Sequence, residues 1–306
     1  MMTRILILLL LAVVTQPVTA QTRLPFQKKR ITLKSPPTYQ KRIVRYDSKT
    51  GEPIYYDPKP RVVPLDVKSG KYGLRWIGYD GQEKTIVYQR PDAIDAEISA
   101  SVSRTATGQY IYVYKIKNLP SSGQHLSGFA LQTFSPNVRP IPIGDGYVGR
   151  MSNNEEMRDG NWIYFGTSNF GTDIGPGRNI ELKLISSSQP GLVECRITGG
   201  IVKMIGVGEE PPQELENVLP GYKVWPSGLT IGPVDYLKSL SSSERAKYLL
   251  DRIPQFLKLG WMTGVAFQAY RQSLGSGDIQ QIKNRGERDL KTGKITTEVY
   301  DTIRFQ

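Results

Sequence analysis

DIGPGRNIELKLISSSQPG, residues 173–191, sets a glycine-proline-glycine corner before an alternating run and closes on a serine-rich Pro-Gly turn. Two kinds of structure use such a corner. A phosphate cradle needs several backbone amides converging, usually where a helix begins. After Gly177, however, Ile180, Leu182 and Leu184 recur at every second residue, which is the period of a strand. Pro176 also has no amide hydrogen to offer. The stretch reads as a β-corner with Ile180, Leu182 and Leu184 turned to a core.

Strand signals continue on both sides. LRWIGYDGQEKTIVYQ is two alternating runs around Asp80-Gly81, a hairpin pair. IDAEISASVS puts Ile94, Ala96, Ile98, Ala100 and Val102 on one face. In QYIYVYKIKN, Tyr110, Tyr112, Tyr114 and Ile116 oppose Ile111, Val113 and Lys115, so this strand is expected at the centre of a sheet. SGFALQTF, NWIYFGT, NIELKLIS and LVECRIT follow without long helical periods between them, which indicates an antiparallel sandwich.

The pattern changes near residue 233. SSSERAKYLLDRIPQFLKLGW opens with a capping box, Ser241 and Glu244, and Ala246, Leu249, Leu250, Ile253 and Leu257 mark one helical face. Pro254 kinks this helix or starts another, and Gly260 suits its end. TGVAFQAYRQSL and GDIQQIKNRGERDL are further helices; TTEVYDTIRF reads as a short last one behind Thr296. No internal repeat is evident. The fold class is mainly β: an antiparallel Ig-like β-sandwich with an extended basic N-terminal arm and a small helical C-terminal region. The expected divisions are a signal segment over 1–20, the arm with a hairpin (RIVRYD and EPIYYD around Gly51) over 21–71, the sandwich over 72–207, a connector over 208–232 and the helices over 233–306.

The first twenty residues carry Arg4, the apolar run Ile5–Val14 and the small residues Val18 and Ala20 that a signal peptidase accepts. Ten apolar residues are too few to span a bilayer, which takes about 20. The chain is expected to be secreted or periplasmic after cleavage following Ala20, with no transmembrane segment in the mature form. Cys195 is the one cysteine, so no intramolecular disulfide forms; between Val193 and Ile197 on one strand face, it reads as a buried small hydrophobe.

Charge is uneven. Residues 21–50 hold nine Lys or Arg against one acid, Asp47, whereas residues 51–306 carry only +3 of the total +12. The expected contacts with an anionic surface are Lys28, Lys29, Arg30, Lys34, Lys41, Arg42 and Arg45. Outside the cytoplasm the partner is an anionic envelope component or another envelope protein, and nucleic acid is not expected. A solvated leader without a specific partner has the same composition.

LRWIGYDGQEKTIVYQ, YIYVYKIKNLPSSGQHLSGFALQTF and IGPGRNIELKLISSSQPGLVECRITGG, in that order, resemble a group of uncharacterised secreted bacterial proteins. In these a tyrosine-rich strand ends in an Asn-centred turn and a later I-x-P-G corner precedes a strand and a Pro-Gly turn. LGWMTG and LKTGKITTEVYDTI look like the helical tail of that group. The resemblance spans about residues 72–306 and implies a β-sandwich, export and a short helical tail; it brings no catalytic residue, cofactor or ligand.

Chemical motifs are sparse. Gly144–Gly149, GDGYVG, fits G-x-G-x-x-G, but RMSNNEEMRDG after it has no apolar helical stripe, so a glycine-rich loop is expected. The single histidine, His125, lies in a turn; there is no G-x-S-x-G and no cysteine pair, so neither a serine triad nor a zinc site is expected, and no cofactor is. Carboxylates cluster at Asp92, Asp95 and Glu97, at Glu155, Glu156 and Asp159, and at Glu209, Glu210, Glu214 and Glu216. A facing pair in a cleft would make a glycan-acting hydrolase. Tyr110, Tyr112 and Tyr114, with Trp76 and Trp162, are either core or a glycan platform, depending on which face meets water. The leading expectation is a non-enzymatic binding or structural module at the cell envelope; the alternative is that secreted hydrolase.

Overall fold

The structure, a computed structural model, describes residues 42–141, 147–152, 161–167, 174–200, 212, 215, 226–277 and 279–306. The expected signal segment and Lys28, Lys29, Arg30, Lys34 and Lys41 lie outside these. Arg42 and Arg45 sit on β1 (Arg42–Tyr46), which pairs with β2 (Pro53–Tyr56) around Gly51 as the arm hairpin.

Next come β3 (Arg61–Asp66), β4 (Lys71–Ile77) and β5 (Glu83–Gln89), an antiparallel meander with β4 in the middle. β3 falls where the sequence shows only a proline-rich arm; Pro64 is tolerated because β3 is an edge strand. The β4–β5 turn closes at Gly78, whose amide donates to Gln82 at 2.8 Å, with Gly81 in the left-handed region. The loop thus holds three residues rather than two.

The sandwich is built from β6 (Ala96–Arg104), β7 (Tyr110–Asn118), β8 (Leu126–Thr133), β9 (Val138–Ile141), β10 (Tyr147–Ser152), β11 (Asn161–Thr167), β12 (Asn179–Ser186), β13 (Gln189–Gly199) and β14 (Ser227–Val234). One sheet runs β6-β7-β12-β9 and the other β10-β11-β8-β13-β14. Lettered A to G along the chain, with β10 and β11 as an insertion before E, these orders are A-B-E-D and C-F-G. That is the strand order of an immunoglobulin-type sandwich, widened at the C edge. β14 begins inside the span read as a connector: SGLTIGPV carries two glycines and a proline and shows little strand propensity. Eight residue pairs with β13 hold it there. Gly149 lies within β10, paired with Phe165, so the last glycine of the dinucleotide-like motif is in a strand and does not open a helix.

The sandwich core takes the faces read from alternation. Tyr112, Tyr114, Ile116, Leu182, Leu184, Phe129, Leu131, Cys195 and Ile197 are fully buried, and Ile180 packs against them. β7 is central, as its two-sided pattern requires. Tyr112 and Tyr114 keep their hydroxyls satisfied at Ser188 O (2.7 Å) and Ile231 O (2.9 Å).

After a 3₁₀ turn (Asp235–Ser239) come α1 (Ser242–Lys258), α2 (Gly264–Gly275), α3 (Ile279–Lys291) and α4 (Thr297–Arg304). The Ser241–Glu244 capping box forms, and α1 runs unbroken through Pro254. Its buried face is Ala246, Leu249, Ile253 and Phe256, with Tyr248 beside them; Leu250 is half-buried and Leu257 exposed. Tyr248 and Phe256, rather than the two leucines, complete the buried face. The helices share one hydrophobic cluster with the sandwich.

A short repeat emerges here. Gly-Trp-Met-Thr (260–263) and Gly-Lys-Ile-Thr (293–296) each begin with a left-handed glycine that ends one helix, and each finishes at the N-cap of the next. The two loops pair through a Met262–Ile295 bridge, with Thr263 N donating to Lys294 O and Thr296 N to Trp261 O, both at 2.8 Å. Two identical positions in four, Gly and Thr, were too short a signal to read from sequence.

Candidate functional site

The opening corner is structural. Gly177 is left-handed, and its amide donates to Asn118 O at 2.7 Å; Arg178 N closes the turn on Gly175 O at 3.1 Å. The Asn118 carboxamide nitrogen donates to Ile174 O (2.8 Å) and Gln124 O (3.0 Å). Asn118 therefore joins the turn that ends β7 to the Gly-Pro-Gly corner, and the corner's amides are spent on protein rather than turned to an anion.

The other candidate side chains fall into two groups. Tyr110, Tyr112, Tyr114, Trp76 and Trp162 are all buried, so the aromatic row is core and not a platform. Arg196 covers the Trp162 ring at 4.3 Å and pairs with Glu194 at 2.8 Å. Cys195 is fully buried between β8 and β14, and burial pushes its thiol well above the usual range, so it stays protonated and unreactive. His125 is exposed in its turn.

Of the carboxylates, Asp92 pairs with Arg90, and Asp95 accepts from Ser121 Oγ at 2.6 Å. Glu155, Glu156, Asp159, Glu209, Glu210, Glu214 and Glu216 lie outside the described residues. Among the described residues no group of three His, Cys, Asp or Glu is placed to hold a metal, and no helix is long and apolar enough to cross a membrane.

Besides Asp92, the fold buries Asp289, Glu298 and Asp301, which were not singled out as candidate chemistry in the sequence. β6 is a sheet edge, and α4 lies along it in place of a further strand. Glu298 Oε1 accepts from Ala100 N at 2.9 Å and Asp301 Oδ2 from Val102 N at 2.6 Å, while Arg304 Nη2 donates to Val102 O at 2.6 Å. Arg304 also pairs with Asp301 at 2.8 Å. Spaced at i, i+3 and i+6, these three side chains share one face of α4 and mimic the ladder of a missing neighbour. Burial raises the Asp301 carboxyl to about 6, against the Val102 amide and Arg304, which lower it. Farther along, Gln306 Nε2 donates to Pro190 O (3.0 Å), Arg245 Nη1 to Gln306 O (2.7 Å) and Leu192 N to Tyr248 Oη (3.1 Å). The chemistry of these groups is attachment of helices to sheet. A capped edge gives no sequence signal beyond two acids and an arginine on one helical face.

The basic arm is the remaining candidate. The structure places Arg42 and Arg45 on either side of a register irregularity in β1, opposite Tyr56 and Ile54.

No protein-family model matches the chain, and no curated protein does. Solved structures with similarity include an uncharacterised protein from Nocardia farcinica with an immunoglobulin-like fold (12% identity, 45% of this chain and 97% of that one, TM-score 0.26). Another is the chitin-binding domain of Chi18aC from Streptomyces coelicolor (13%, 33% and 89%, TM-score 0.23). A third is the full-length major pilin SpaD from Corynebacterium diphtheriae (10%, 56% and 62%, TM-score 0.24). At these TM-scores the overlaps are partial, and the immunoglobulin-type assignment stands on the strand order itself.

Proposed function

We propose that this protein is an exported, non-enzymatic binding or structural module of the bacterial cell envelope that docks on an anionic surface through its N-terminal arm. The observation that carries the reading is the charge asymmetry: nine basic residues and one acid within residues 21–50, ahead of a body that is close to neutral for its size. A folded sandwich then works as the presented module and the arm as the tether. Lys28, Lys29, Arg30, Lys34, Lys41, Arg42 and Arg45 are the contacts. Each basic side chain near an anionic membrane contributes about 1 kcal/mol, so several together hold a protein there without apolar insertion. The attraction weakens as salt rises, because the Debye length is about 8 Å at 0.15 M.

Co-sedimentation of the full-length and arm-deleted protein with anionic vesicles, at low and moderate salt, tests this. Salt-sensitive binding by the full-length protein alone is expected. Equal binding by both forms, or none by either, rejects the arm as the docking element. Replacing Lys28, Lys29 and Arg30 with Ala is expected to weaken binding and leave the fold intact, since these residues precede the first strand among the described residues.

A further inference from the structure

Helices α2 and α3 are joined by a short connection and leave a polar groove of about 610 Å³ on their outer side. Its walls are Gln272 from α2, Ser276 just past the end of that helix, and Gln281, Asn284, Arg285 and Arg288 from α3. Polar atoms outweigh apolar ones in this lining, which favours a polar ligand.

The hydrogen bonds within the groove consume acceptors. Gln281 Oε1 accepts from Ser273 Oγ, and Asn284 Oδ1 accepts from Gln280 Nε2 at 2.9 Å. Asp289, fully buried beneath, takes Arg285 Nε on its Oδ2 at 2.6 Å, and the Tyr270 ring lies 5.7 Å under the same guanidinium. Arg285 is thereby held by a buried carboxylate and a buried ring on its inner side. Arg285 lines the groove, and among the described residues its terminal nitrogens make no hydrogen bond. Arg288, one turn along, is exposed and has no carboxylate partner among the described residues. The groove therefore offers donors: one preorganised guanidinium fork, a second free to close, and amides beside them. A guanidinium fork matches a planar carboxylate through two parallel hydrogen bonds, and amides and hydroxyls suit sugar hydroxyls.

We propose that the α2–α3 groove binds a segment of an acidic glycan, with a carboxylate of one sugar held by Arg285 and Arg288 and neighbouring hydroxyls by Gln272 and Asn284. This site is separate in sequence from the basic arm and does not depend on it.

The test is calorimetric titration of the full-length protein, at one ionic strength, with hexagalacturonate, with a neutral hexasaccharide and with a glycerol-phosphate oligomer of equal charge. Hexagalacturonate is expected to bind and the neutral sugar not to. Arg288→Ala and Asn284→Asp, both at exposed positions that the fold tolerates, are each expected to weaken binding about tenfold or more. Arg285→Lys, which keeps the charge and removes the fork, is expected to do the same. The Lys28, Lys29, Arg30→Ala variant is expected to retain the groove's binding. Equal binding of the neutral sugar overturns the proposal, as does unchanged affinity in the Arg288 and Asn284 variants. Tighter binding of the glycerol-phosphate oligomer overturns the carboxylate assignment. If the arm variant alone abolishes binding, the groove proposal falls and the arm reading stands; if the groove variants alone abolish it, the reverse holds.

Discussion

The three-stranded meander β3–β5 and the sandwich-plus-helix body are held by very different amounts of buried surface. The meander has its own small cluster: Leu74, Trp76, Ile86 and Tyr88, closed by Leu215, with Val62 packed on it. The sandwich and the four helices share a single cluster that runs from Ile94 to Ile303. The helical tail, though last in the chain and different in type, is therefore part of the sandwich's core. The meander, of the same β type and adjacent in sequence, is not. Hydrogen bonds to the segment that follows β5 tie it to the body: Gly123 N donates to Ala93 O (3.0 Å), Gly199 N to Pro91 O (2.7 Å) and the Gln124 side-chain Nε2 to Arg90 O (2.7 Å). Kinship of secondary structure does not decide what folds together; shared buried area does.

The sharpest way to break this comparison is to empty each core in turn. Phe256→Ala and Trp76→Ala each remove a fully buried ring, at a cost of about 3–5 kcal/mol. Phe256→Ala is expected to lower the melting of helices and sandwich together, seen by far-UV and near-UV circular dichroism. Trp76→Ala is expected to loosen β3–β5, seen as faster amide exchange there, with the main transition in place. Separate melting of the helices would show that the core is not shared.

A smaller effect is expected at the α4–β6 edge. The Asp301 carboxyl holds its proton to about pH 6 in the folded state, against 3.8 for a free one. The folded state thus binds an extra proton between those values. The stability this provides is complete below about 3.8 and is lost as pH rises through 6, a change on the order of 2–3 kcal/mol. Asp235 and Glu244, whose carboxyls are held low by hydrogen bonds from Ser188 and Ser241, work in the opposite direction in parent and variant alike. Asp301→Asn is expected to gain on the parent between pH 4.5 and 7.5, measured as the difference in urea midpoints. Parallel profiles would show that Asp301 is not the titrating group.

The joint between the two regions offers a third test. A Cβ on Gly123 would lie 2.0 Å from the Lys68 carbonyl oxygen, and backbone cannot give way as a flexible side chain does. Gly123→Ala is expected to cost about 1–3 kcal/mol, with protection lost first at the Gly123 and Gly199 amides, which donate across the joint. Unchanged exchange at those amides would mean that the joint is looser than its hydrogen bonds imply.

The least change is expected at the α1 cap. Ser241→Ala removes one side of the capping box and is expected to cost about 1 kcal/mol, read as a small drop in midpoint with no change in slope. A loss as large as that at Phe256 would give the cap a role beyond the helix end.

Local patterns in the sequence were enough for much of this. Period-two alternation identified β4 to β8 and β11 to β13, and the buried face of β6, β12 and β13, because a pleated strand alternates its side chains whatever it packs against. The Ser241–Glu244 box and Gly260 marked the ends of α1, because capping is satisfied within a few residues. Burial of Cys195 followed from the same alternation, whereas the tyrosine row could be core or platform until the second sheet was set against it. The basic arm was legible as composition alone.

Tertiary structure decided the rest. β14, poor in strand formers, is a strand because β13 supplies its partner; β3 is one because β4 does. On α1, Tyr248 and Phe256 are buried where the helical period had marked Leu250 and Leu257. Glu298, Asp301 and Arg304 look like an ordinary charged helix face until the unpaired edge of β6, some 200 residues earlier in the chain, is set beside them. The arginine groove likewise exists only where α2 and α3 turn back on one another. Short-range forces write periodicity and caps into neighbouring residues, whereas edges, shared cores and grooves are made by residues distant in the chain, whose meeting no local pattern records.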